Sequence, residues 1–235
     1  MSAWSAPRGT AKRAATSASG RSRTSSRSIA AADEDILIVN GSRQGIDLIC
    51  KALVGKNTVV LAEDPSYSVA LHCFQRAGAR VVTVPLLADG PDMDAVRAML
   101  DQTPIDFYYT MTNFQCPSNV CWSERKRRQL LALAQENSFT IVNARHLSLP
   151  YPEQAGGVFF WVQIPDDVDA VLLWKRLRLQ GVKLMPGTVF SLNGSAQHLL
   201  RLSYVGCLLE QIPEGISCID REIGWLLEHQ TAAEI

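Results

Sequence analysis

The sequence of 235 residues lacks several features that would narrow its function at once. Lysine and arginine together number 23, and so do aspartate and glutamate, so net charge indicates neither a nucleic-acid nor a membrane partner. No apolar run approaches the roughly 18 residues of a membrane helix. The six cysteines form no Cys-x-x-Cys pair and no Cys/His cluster. These absences argue against a metal site and a disulfide framework, and they predict reduced, packed thiols.

Residues 1–32 differ from the rest of the chain in composition. The segment is rich in Ser, Ala and Thr, contains no acidic residue, and carries the basic residues Arg8, Lys12, Arg13, Arg21, Arg23 and Arg27. We expect a disordered basic tail, or a start altered by a mistaken gene model. A mitochondrial or plastid targeting peptide and a basic nucleic-acid arm have the same composition. The expected location is therefore the cytoplasm, with mitochondrial import as the alternative, and nucleic-acid binding is a further alternative.

From Asp33 onward, short apolar runs alternate with helical periods. The apolar runs predict strands at 36–39, 58–61, 80–84, 106–109 and 139–142. The helical periods predict helices from Ser42 onward and over 66–77, 92–100 and 123–137. This alternation predicts a parallel sheet with helices on both faces, whose ligands lie at the carboxyl ends of the strands. A small-molecule site is therefore expected at Gly41-Ser42, at Ser66-Tyr67 and in the loop around Cys116.

The alternation ends near Asn143. A Pro-containing connector over 146–154 precedes predicted strands at 158–164 and 199–205 and predicted helices at 167–180 and 210–228. This pattern predicts an antiparallel sheet with helices on one side. The expected domains are the tail 1–32, a partial large ligand-binding domain 33–145, and a small C-terminal α+β domain 146–235.

Five blocks in a fixed order resemble the fold type I pyridoxal-phosphate (PLP) aminotransferases of class I and II, above all the branch of kynurenine and 2-aminoadipate transaminases and MocR-like regulators. The blocks are Ile-Leu-Ile-Val-Asn-Gly-Ser-Arg-Gln-Gly-Ile-Asp-Leu (36–48), Glu-Asp-Pro-Ser-Tyr (63–67), Gly-Gly-Val-Phe-Phe-Trp-Val (156–162), Gly-Val-Lys-Leu-Met-Pro-Gly (181–187) and Leu-Arg-Leu-Ser-Tyr (200–204). The resemblance implies an α/β fold with a partial PLP-transferase large domain. It also implies PLP as cofactor, an amino acid and a 2-oxo acid as substrates, and a homodimer.

The predicted phosphate end of this site lies at the start of a helix. Ser42 and Arg43 follow a glycine there, where free backbone N–H groups and the helix dipole favour an anion. The resemblance makes that anion the cofactor phosphate, with Ser42, Arg43 and Gln44 as donors. A simple capping turn with Ser42 as N-cap is the alternative.

Two further residues receive roles from the resemblance. Tyr67 matches the aromatic residue that stacks on the pyridine ring, although an aromatic residue before a helix is also typical of a core. Arg201 matches the arginine that holds the substrate carboxylate through a two-pronged contact. The alternative for Arg201 is an ion pair with an internal acid.

The chain lacks the segment that carries the catalytic lysine of these enzymes. PLP chemistry needs a lysine for the Schiff base and a carboxylate for the pyridinium nitrogen. The family has that carboxylate on the strand after the 139–142 segment, and the lysine follows in a Ser/Thr-Phe-Ser-Lys motif. Here the chain runs from Val142 almost directly into the C-terminal domain, and neither motif occurs. Five lysines lie in sequence contexts that do not match this motif, namely Lys51, Lys56, Lys126, Lys175 and Lys183.

A loop that binds the cofactor in this family also differs. Its usual Gln-Asn-Pro-Thr-Gly reads Gln-Cys-Pro-Ser-Asn over 115–119, and Cys116 is a poor donor where the family has Asn. We therefore expect no catalytic residue and a truncated, inactive pseudoenzyme. Two alternatives fit this pattern. One is an aminotransferase whose sequence is incomplete, and the other is a non-catalytic binder of PLP or amino acids. The missing segment also predicts an uncovered sheet edge that needs repacking or a partner.

Overall fold

The computed structural model describes residues 2–4, 36–144, 159–203 and 207–230. The strands are β1 (Ser2–Trp4), β2 (Val59–Asp64), β3 (Arg80–Leu87), β4 (Gly90–Pro91), β5 (Phe107–Thr110), β6 (Thr140–Asn143), β7 (Phe159–Gln163), β8 (Met185–Pro186) and β9 (Leu199–Ser203). The helices are α1 (Ser42–Leu53), α2 (Ser68–Arg76), α3 (Met93–Gln102), α4 (Glu124–Asn137), α5 (Ala170–Leu179) and α6 (Ile212–Gln230). Two short 3-10 helices cover Gly187–Val189 and Leu209–Gln211.

The first sheet has the strand order β1-β6-β5-β2-β3-β4. Its four inner strands, β6, β5, β2 and β3, are parallel, while β1 and β4 pair antiparallel at the two ends. The central strand β2 is buried from Val60 to Asp64, as expected for a parallel strand that is covered on both faces. The predicted parallel sheet is therefore confirmed.

Helices cover both faces of this sheet, as the strand-helix alternation predicted. Helices α1 and α2 cover one face, where Val60, Ala62 and Tyr109 form a core cluster. Helices α3 and α4 cover the other, where Leu61 and Tyr108 belong to a second cluster. Because side chains alternate along a strand, neighbouring residues of β2 fall in different clusters.

The second sheet is antiparallel, with the order β7-β9-β8, and packs with α5 and α6 to form what we call the small lobe, residues 159–203 and 207–230. Its own core contains Leu173, Leu177, Leu200 and Leu226. The antiparallel sheet with helices in this half is confirmed.

One predicted strand is wrong, and part of one connection lies outside the described residues. Residues 36–39 have no regular structure, and Ile38 is 92% exposed. This apolar run pairs with no strand in the described part of the chain, so its composition alone does not make it a strand. The connector 146–154 and the expected domain boundary after residue 145 lie outside the described residues.

Three residues of the segment expected to be a disordered tail form β1 at the end of the first sheet. Ser2 pairs with Asn143 and Trp4 with Ile141, so β1 covers the open side of β6. The predicted open edge of the shortened sheet is thus occupied by a strand from the chain itself. All six cysteines are free thiols, and none of the described helices is long and apolar enough to cross a membrane.

A buried carboxyl group lies on the face of the sheet that α3 and α4 cover. Glu63 is fully buried, and neither of its carboxyl oxygens has a hydrogen-bond partner within the described ranges. Burial raises the pKa of Glu63 from 4.5 to about 7, and the nearby hydroxyls of Thr110 and Tyr108 offset only part of that rise. Those hydroxyls are close to Glu63 without meeting hydrogen-bond geometry, and both are themselves unpaired. The folded protein therefore keeps Glu63 protonated at mildly acidic pH.

We predict that Glu63 makes the protein less stable as pH rises from about 4.5 to about 7. In this interval the folded state holds a proton that the unfolded state has released, so folding is favoured at the acidic end. One pKa unit corresponds to about 1.4 kcal/mol, so the loss is on the order of 3 kcal/mol. Melting temperatures of the wild type and Glu63→Gln between pH 4.5 and 8 test this. The Gln variant should match the wild type near pH 5 and melt at higher temperature near pH 8, whereas parallel profiles would contradict it.

We also predict that removal of residues 1–4 opens β6 to solvent. Backbone amides of Ile141, Val142 or Asn143 that point towards β1 lose their partners, and their hydrogen exchange should accelerate about tenfold or more. Exchange in β3, at the other side of the sheet, serves as the internal control and should stay unchanged. Unaltered exchange over 140–143 would show that β1 does not protect this edge.

Candidate functional site

The first part of the candidate site is the start of α1. Gly41 is its N-cap residue, with a φ of 84°, and Ser42 is the first helical residue. Ser42 is therefore not the N-cap, which removes the capping alternative for this side chain. No side chain among the described residues caps α1, whereas Asp92, Ser123 and Asp169 cap α3, α4 and α5.

The three residues expected to hold an anion at the start of α1 are exposed, but they differ in how much of each side chain is available to bind a ligand. Ser42 and Arg43 face solvent beside the first-turn N–H groups. The side-chain oxygen of Gln44 instead accepts a hydrogen bond from the backbone N–H of Asn40, at 2.5 Å. Gln44 thus orders the turn before the helix and keeps only its amide NH₂ group for a ligand. The uncapped N–H groups fit the phosphate of a cofactor.

Tyr67 occupies the corresponding position at the start of α2. It is the N-cap residue of that helix, and no side-chain hydrogen bond from the described residues caps it. Its half-buried ring packs against the core cluster that also contains Ile46 of α1, Cys116 and Phe190. Ile46 of α1, Tyr67 and Cys116 of the loop therefore lie on the same face of the first sheet.

The loop between β5 and α4 is fixed by Gln115. This fully buried side chain donates to the carbonyl oxygen of Pro65 at 2.8 Å and accepts from the hydroxyl of Ser118 at 2.7 Å. The next residue, Cys116, is also buried. Burial raises the pKa of the Cys116 thiol, and the nearby Arg201 guanidinium offsets part of that rise. Cys116 is thus a protonated thiol rather than an activated nucleophile.

Arg201 reaches this loop from the small lobe. Its Nη1 lies 3.5 Å from the Cys116 sulfur, and its guanidinium lies over the rings of Phe159 and Phe190, at 4.2 and 4.8 Å from their centroids. Its Nε is buried and has no hydrogen-bond partner in the part of the chain that the structure describes. Among the ion pairs of the described residues, none involves Arg201, so the internal-acid alternative finds no support there.

A guanidinium that lies over two aromatic rings, with no carboxylate partner among the described residues, suits a planar anion. Aromatic faces stabilise the cation, while its Nε–H, which has no partner among those residues, requires an acceptor. A carboxylate satisfies two guanidinium donors at once. The geometry of Arg201 therefore fits the carboxylate of an amino acid or an oxo acid.

None of the five lysines in the described part of the chain lies at this site. Lys126 is buried beside Gly90 and Trp122 under the opposite face of the sheet, with its ammonium 2.6 Å from the carboxylate of Asp89 and 3.2 Å from the carbonyl of Gly90. Lys51 is exposed and pairs with Asp47 at 2.7 Å. The remaining three are exposed, namely Lys56, Lys175 and Lys183. The described residues thus fit a phosphate, an aromatic ring and a carboxylate, but they place no amine among these groups.

The last residue of β6, Asn143, carries an amide side chain that bonds to the loop after β5. Asn143 donates to the hydroxyl of Thr112 at 3.0 Å and accepts from the N–H of the same residue at 3.3 Å. The buried Ala144 follows. Both side-chain functions of Asn143 therefore serve to hold the loop after β5. In the described residues, no group of three or more His, Cys, Asp or Glu side chains is placed to hold a metal ion.

Two residues of this site were missed by sequence reasoning. Asp64, the last residue of β2, is 4% exposed and accepts three hydrogen bonds from residues 192–195 of the small lobe. Phe190 packs on Arg201 and places its own carbonyl 2.9 Å from the N–H of Ser66. Both roles depend on contacts between distant parts of the chain, which no local pattern encodes. The sequence had placed Asp64 in a turn after a predicted strand and in the 63–67 block of the resemblance, without giving it a role.

Comparisons with known proteins point to one family. The sequence pattern of the aminotransferases of class I and II matches residues 14–146, and it begins inside the segment expected to be a tail. A 2-aminoadipate transaminase of Thermus thermophilus is 23% identical over 303 residues, covering 83% of this chain and 76% of the relative. An HTH-type transcriptional regulator of Bacillus subtilis, YisV, is 33% identical over 107 residues, covering 46% of this chain and 22% of the regulator.

A similar structure agrees with these sequence matches. The crystal structure of LysN, an α-aminoadipate aminotransferase from Thermus thermophilus complexed with N-(5'-phosphopyridoxyl)-L-leucine, has a TM-score of 0.71 at 22% identity. The match covers 80% of this chain and 76% of LysN. At this identity the likeness establishes the fold, which is that of a partial PLP-transferase.

Proposed function

This chain belongs to the aminotransferase family of class I and II, and from this premise we propose that it binds PLP and a carboxylate ligand without catalysing amino-group transfer. The family moves an amino group between an amino acid and a 2-oxo acid, and PLP is its cofactor. In this view the chain retains the family's contacts to cofactor and carboxylate but forms no covalent bond to the cofactor.

The observation that carries the proposal is the environment of Arg201. Its half-buried guanidinium lies over the rings of Phe159 and Phe190, and among the described residues its Nε has no partner and its Nη1 meets only the weakly accepting sulfur of Cys116. Leaving a charged donor unpaired in a buried setting costs on the order of 1–3 kcal/mol or more. A bound carboxylate removes this cost, so the site favours ligands that carry one.

The start of α1 supports the phosphate end of the same ligand site. First-turn N–H groups without a side-chain cap attract an anion, and the adjacent Arg43 adds a full positive charge. The half-buried ring of Tyr67 offers an apolar surface next to this helix for an aromatic ring. These residues bind and orient; none of them supplies a nucleophile.

The absence of catalysis that we propose follows from the positions of the lysine side chains. When bound in an aminotransferase, PLP withdraws electrons from the substrate, and a lysine both anchors it and moves protons. In this chain Lys126 is held by Asp89 and Gly90 under the other face of the sheet, and the other lysines of the described residues are exposed elsewhere. Cys116 keeps its proton and does not replace a lysine as a base.

The alignment with the Thermus transaminase supports an internal loss. It extends over 303 positions, yet 83% of 235 residues amounts to about 195 residues of this chain. Roughly a hundred positions of the relative thus have no counterpart here. The transition from Val142 into the C-terminal half is where the sequence places that loss.

A titration with PLP tests this function. We expect saturable binding, recorded in the visible spectrum and by tryptophan fluorescence, and no stoichiometric pyridoxyl adduct in the intact mass after borohydride reduction. Arg43→Ala should weaken binding about tenfold, since a charge-assisted contact contributes roughly 1.5 kcal/mol or more. Arg76→Ala, which removes an exposed arginine from the far end of α2, is the matched control and should bind as the wild type does.

Two results would contradict the proposal. A single adduct on one lysine would show that a covalent anchor remains, and the chain would then be a candidate enzyme. A complete absence of saturable binding would show that the phosphate and ring contacts are insufficient. An in-frame Ser-Lys segment in the underlying gene would assign the family's reaction to a longer parent protein.

A further inference from the structure

We infer that Asp64 is a positioning residue that docks the small lobe onto the end of β2 and thereby sets Arg201 in its ligand-binding position. This inference rests on the proposed function in that it takes Arg201 as the carboxylate site. Asp64 touches neither the guanidinium nor the proposed ligand in any recorded contact. Its influence passes through the segment Phe190–Ser195.

The carboxylate of Asp64 gathers three donors from one turn of the small lobe. Its Oδ2 accepts from the backbone N–H groups of Leu192 at 2.8 Å and Asn193 at 3.2 Å, and its Oδ1 accepts from the hydroxyl of Ser195 at 3.0 Å. A buried carboxylate is costly unless its oxygens are hydrogen-bonded, and hydrogen bonds to an ionised group are roughly twice as strong as neutral ones. This junction is therefore a strong attachment between two parts of the chain.

Residues 64–66, at the end of β2 and just after it, also contact the loop that carries Cys116 and the turn that carries Phe190. The N–H of Ser66 donates to the carbonyl of Phe190 at 2.9 Å, and the carbonyl of Pro65 accepts from Gln115 at 2.8 Å. Gln115 precedes Cys116, and Phe190 packs on Arg201. Residues 64–66 thus connect the loop that carries Cys116 with the turn that carries Phe190.

Arg201 depends on both of these attachments. It lies against Phe190, which also contacts the ring of Trp161 edge to face at 5.9 Å, and its Nη1 lies beside the Cys116 sulfur. If the turn at 190–195 leaves Asp64, Phe190 moves with it and the guanidinium loses one of its two aromatic walls. Cys116, now buried under this contact, then becomes reachable from solvent.

The test compares Asp64→Asn with Asp106→Asn. Asparagine at 64 places an NH₂ group where donors from residues 192–195 already point, so at least one contact becomes donor against donor. Asp106 is the matched control, because its Oδ2 accepts from the N–H of Val59 at 2.7 Å in the same sheet and, in the contacts recorded for the described residues, it touches nothing in the small lobe. Ser195→Ala, which removes only one of the three donors, is a second and milder variant in case Asp64→Asn does not fold.

Two measurements report on the position of Arg201. The first is the alkylation rate of Cys116 by iodoacetamide, followed by peptide mass spectrometry, which needs no ligand. The second is the affinity for 2-oxoglutarate, a soluble 2-oxo acid, by calorimetry. We expect Asp64→Asn to raise the rate and weaken the affinity by about tenfold each, as the loss of charge-assisted contacts implies. Ser195→Ala should shift both in the same direction by less, and Asp106→Asn should shift neither beyond about twofold at a comparable loss of melting temperature.

The outcomes separate this inference from the proposed function. Faster Cys116 alkylation in Asp64→Asn with no 2-oxoglutarate binding by the wild type would support the positioning role and overturn the carboxylate site. Wild-type binding that Asp64→Asn and Ser195→Ala leave unchanged, with unchanged Cys116 alkylation, would overturn the positioning role and leave the carboxylate site in place. Equal effects of Asp64→Asn and Asp106→Asn would reduce Asp64 to a general stabilising residue and also overturn it.

Discussion

The hydrogen bonds from residues 192–195 to the buried carboxylate of Asp64 join the two halves of this molecule. One half is a parallel sheet with helices on both faces, and the other is a small antiparallel sheet with two helices. Each half has a core cluster of its own, and a third cluster joins the first sheet to Phe190 and other apolar residues of the small lobe. Cys116 and Arg201 lie where the halves meet. Their arrangement is therefore only as precise as the attachment between the halves.

Other elements of the chain cover the first sheet. Both faces of the inner strands are covered, by α1 and α2 on one side and by α3 and α4 on the other. The core beside this sheet buries Glu63, Tyr108 and Thr110, whose side-chain oxygens have no hydrogen-bond partner among the residues that the structure describes. Buried polar groups without partners are rare in folded proteins and reduce stability. The remaining sheet therefore carries an internal penalty that a fully matched core would not have.

Local patterns predicted most elements because each one depends on near neighbours in sequence. Helix α4 begins after the capping residue Ser123, and α1 begins after Gly41, as helical period and start signals indicate. The apolar run 36–39 misled the prediction because a strand also needs a partner, and composition does not supply one. Ser42, Arg43, Tyr67 and Arg201 came from a resemblance to known enzymes. The structure packs Tyr67 against the core cluster that contains Cys116 and places Arg201 beside the Cys116 sulfur, and the ligand-binding roles of both residues stay predictions.

What could not be predicted from the sequence are contacts over long separations. The partner of Asp64 lies beyond residue 190, and Lys126 finds Asp89 and Gly90 across a helix and a strand. Such contacts follow from the packing of whole elements and not from periodicity. Sequence reasoning therefore located the ends of the strands where a site should be, and it left open which side chains hold that site together.

The pairing of β1 with β6 has a consequence for how the chain acquires its structure. Residue 2 pairs with residue 143, so closing this contact encloses almost the whole first sheet in one loop. The entropic cost of closing a loop rises with its length, and contacts of this kind are gained late. During synthesis the early residues must wait for β6 to leave the ribosome before they have a strand to join. After β6 forms and before β1 pairs with it, the outer side of β6 is an unpaired strand edge that another extended segment could occupy.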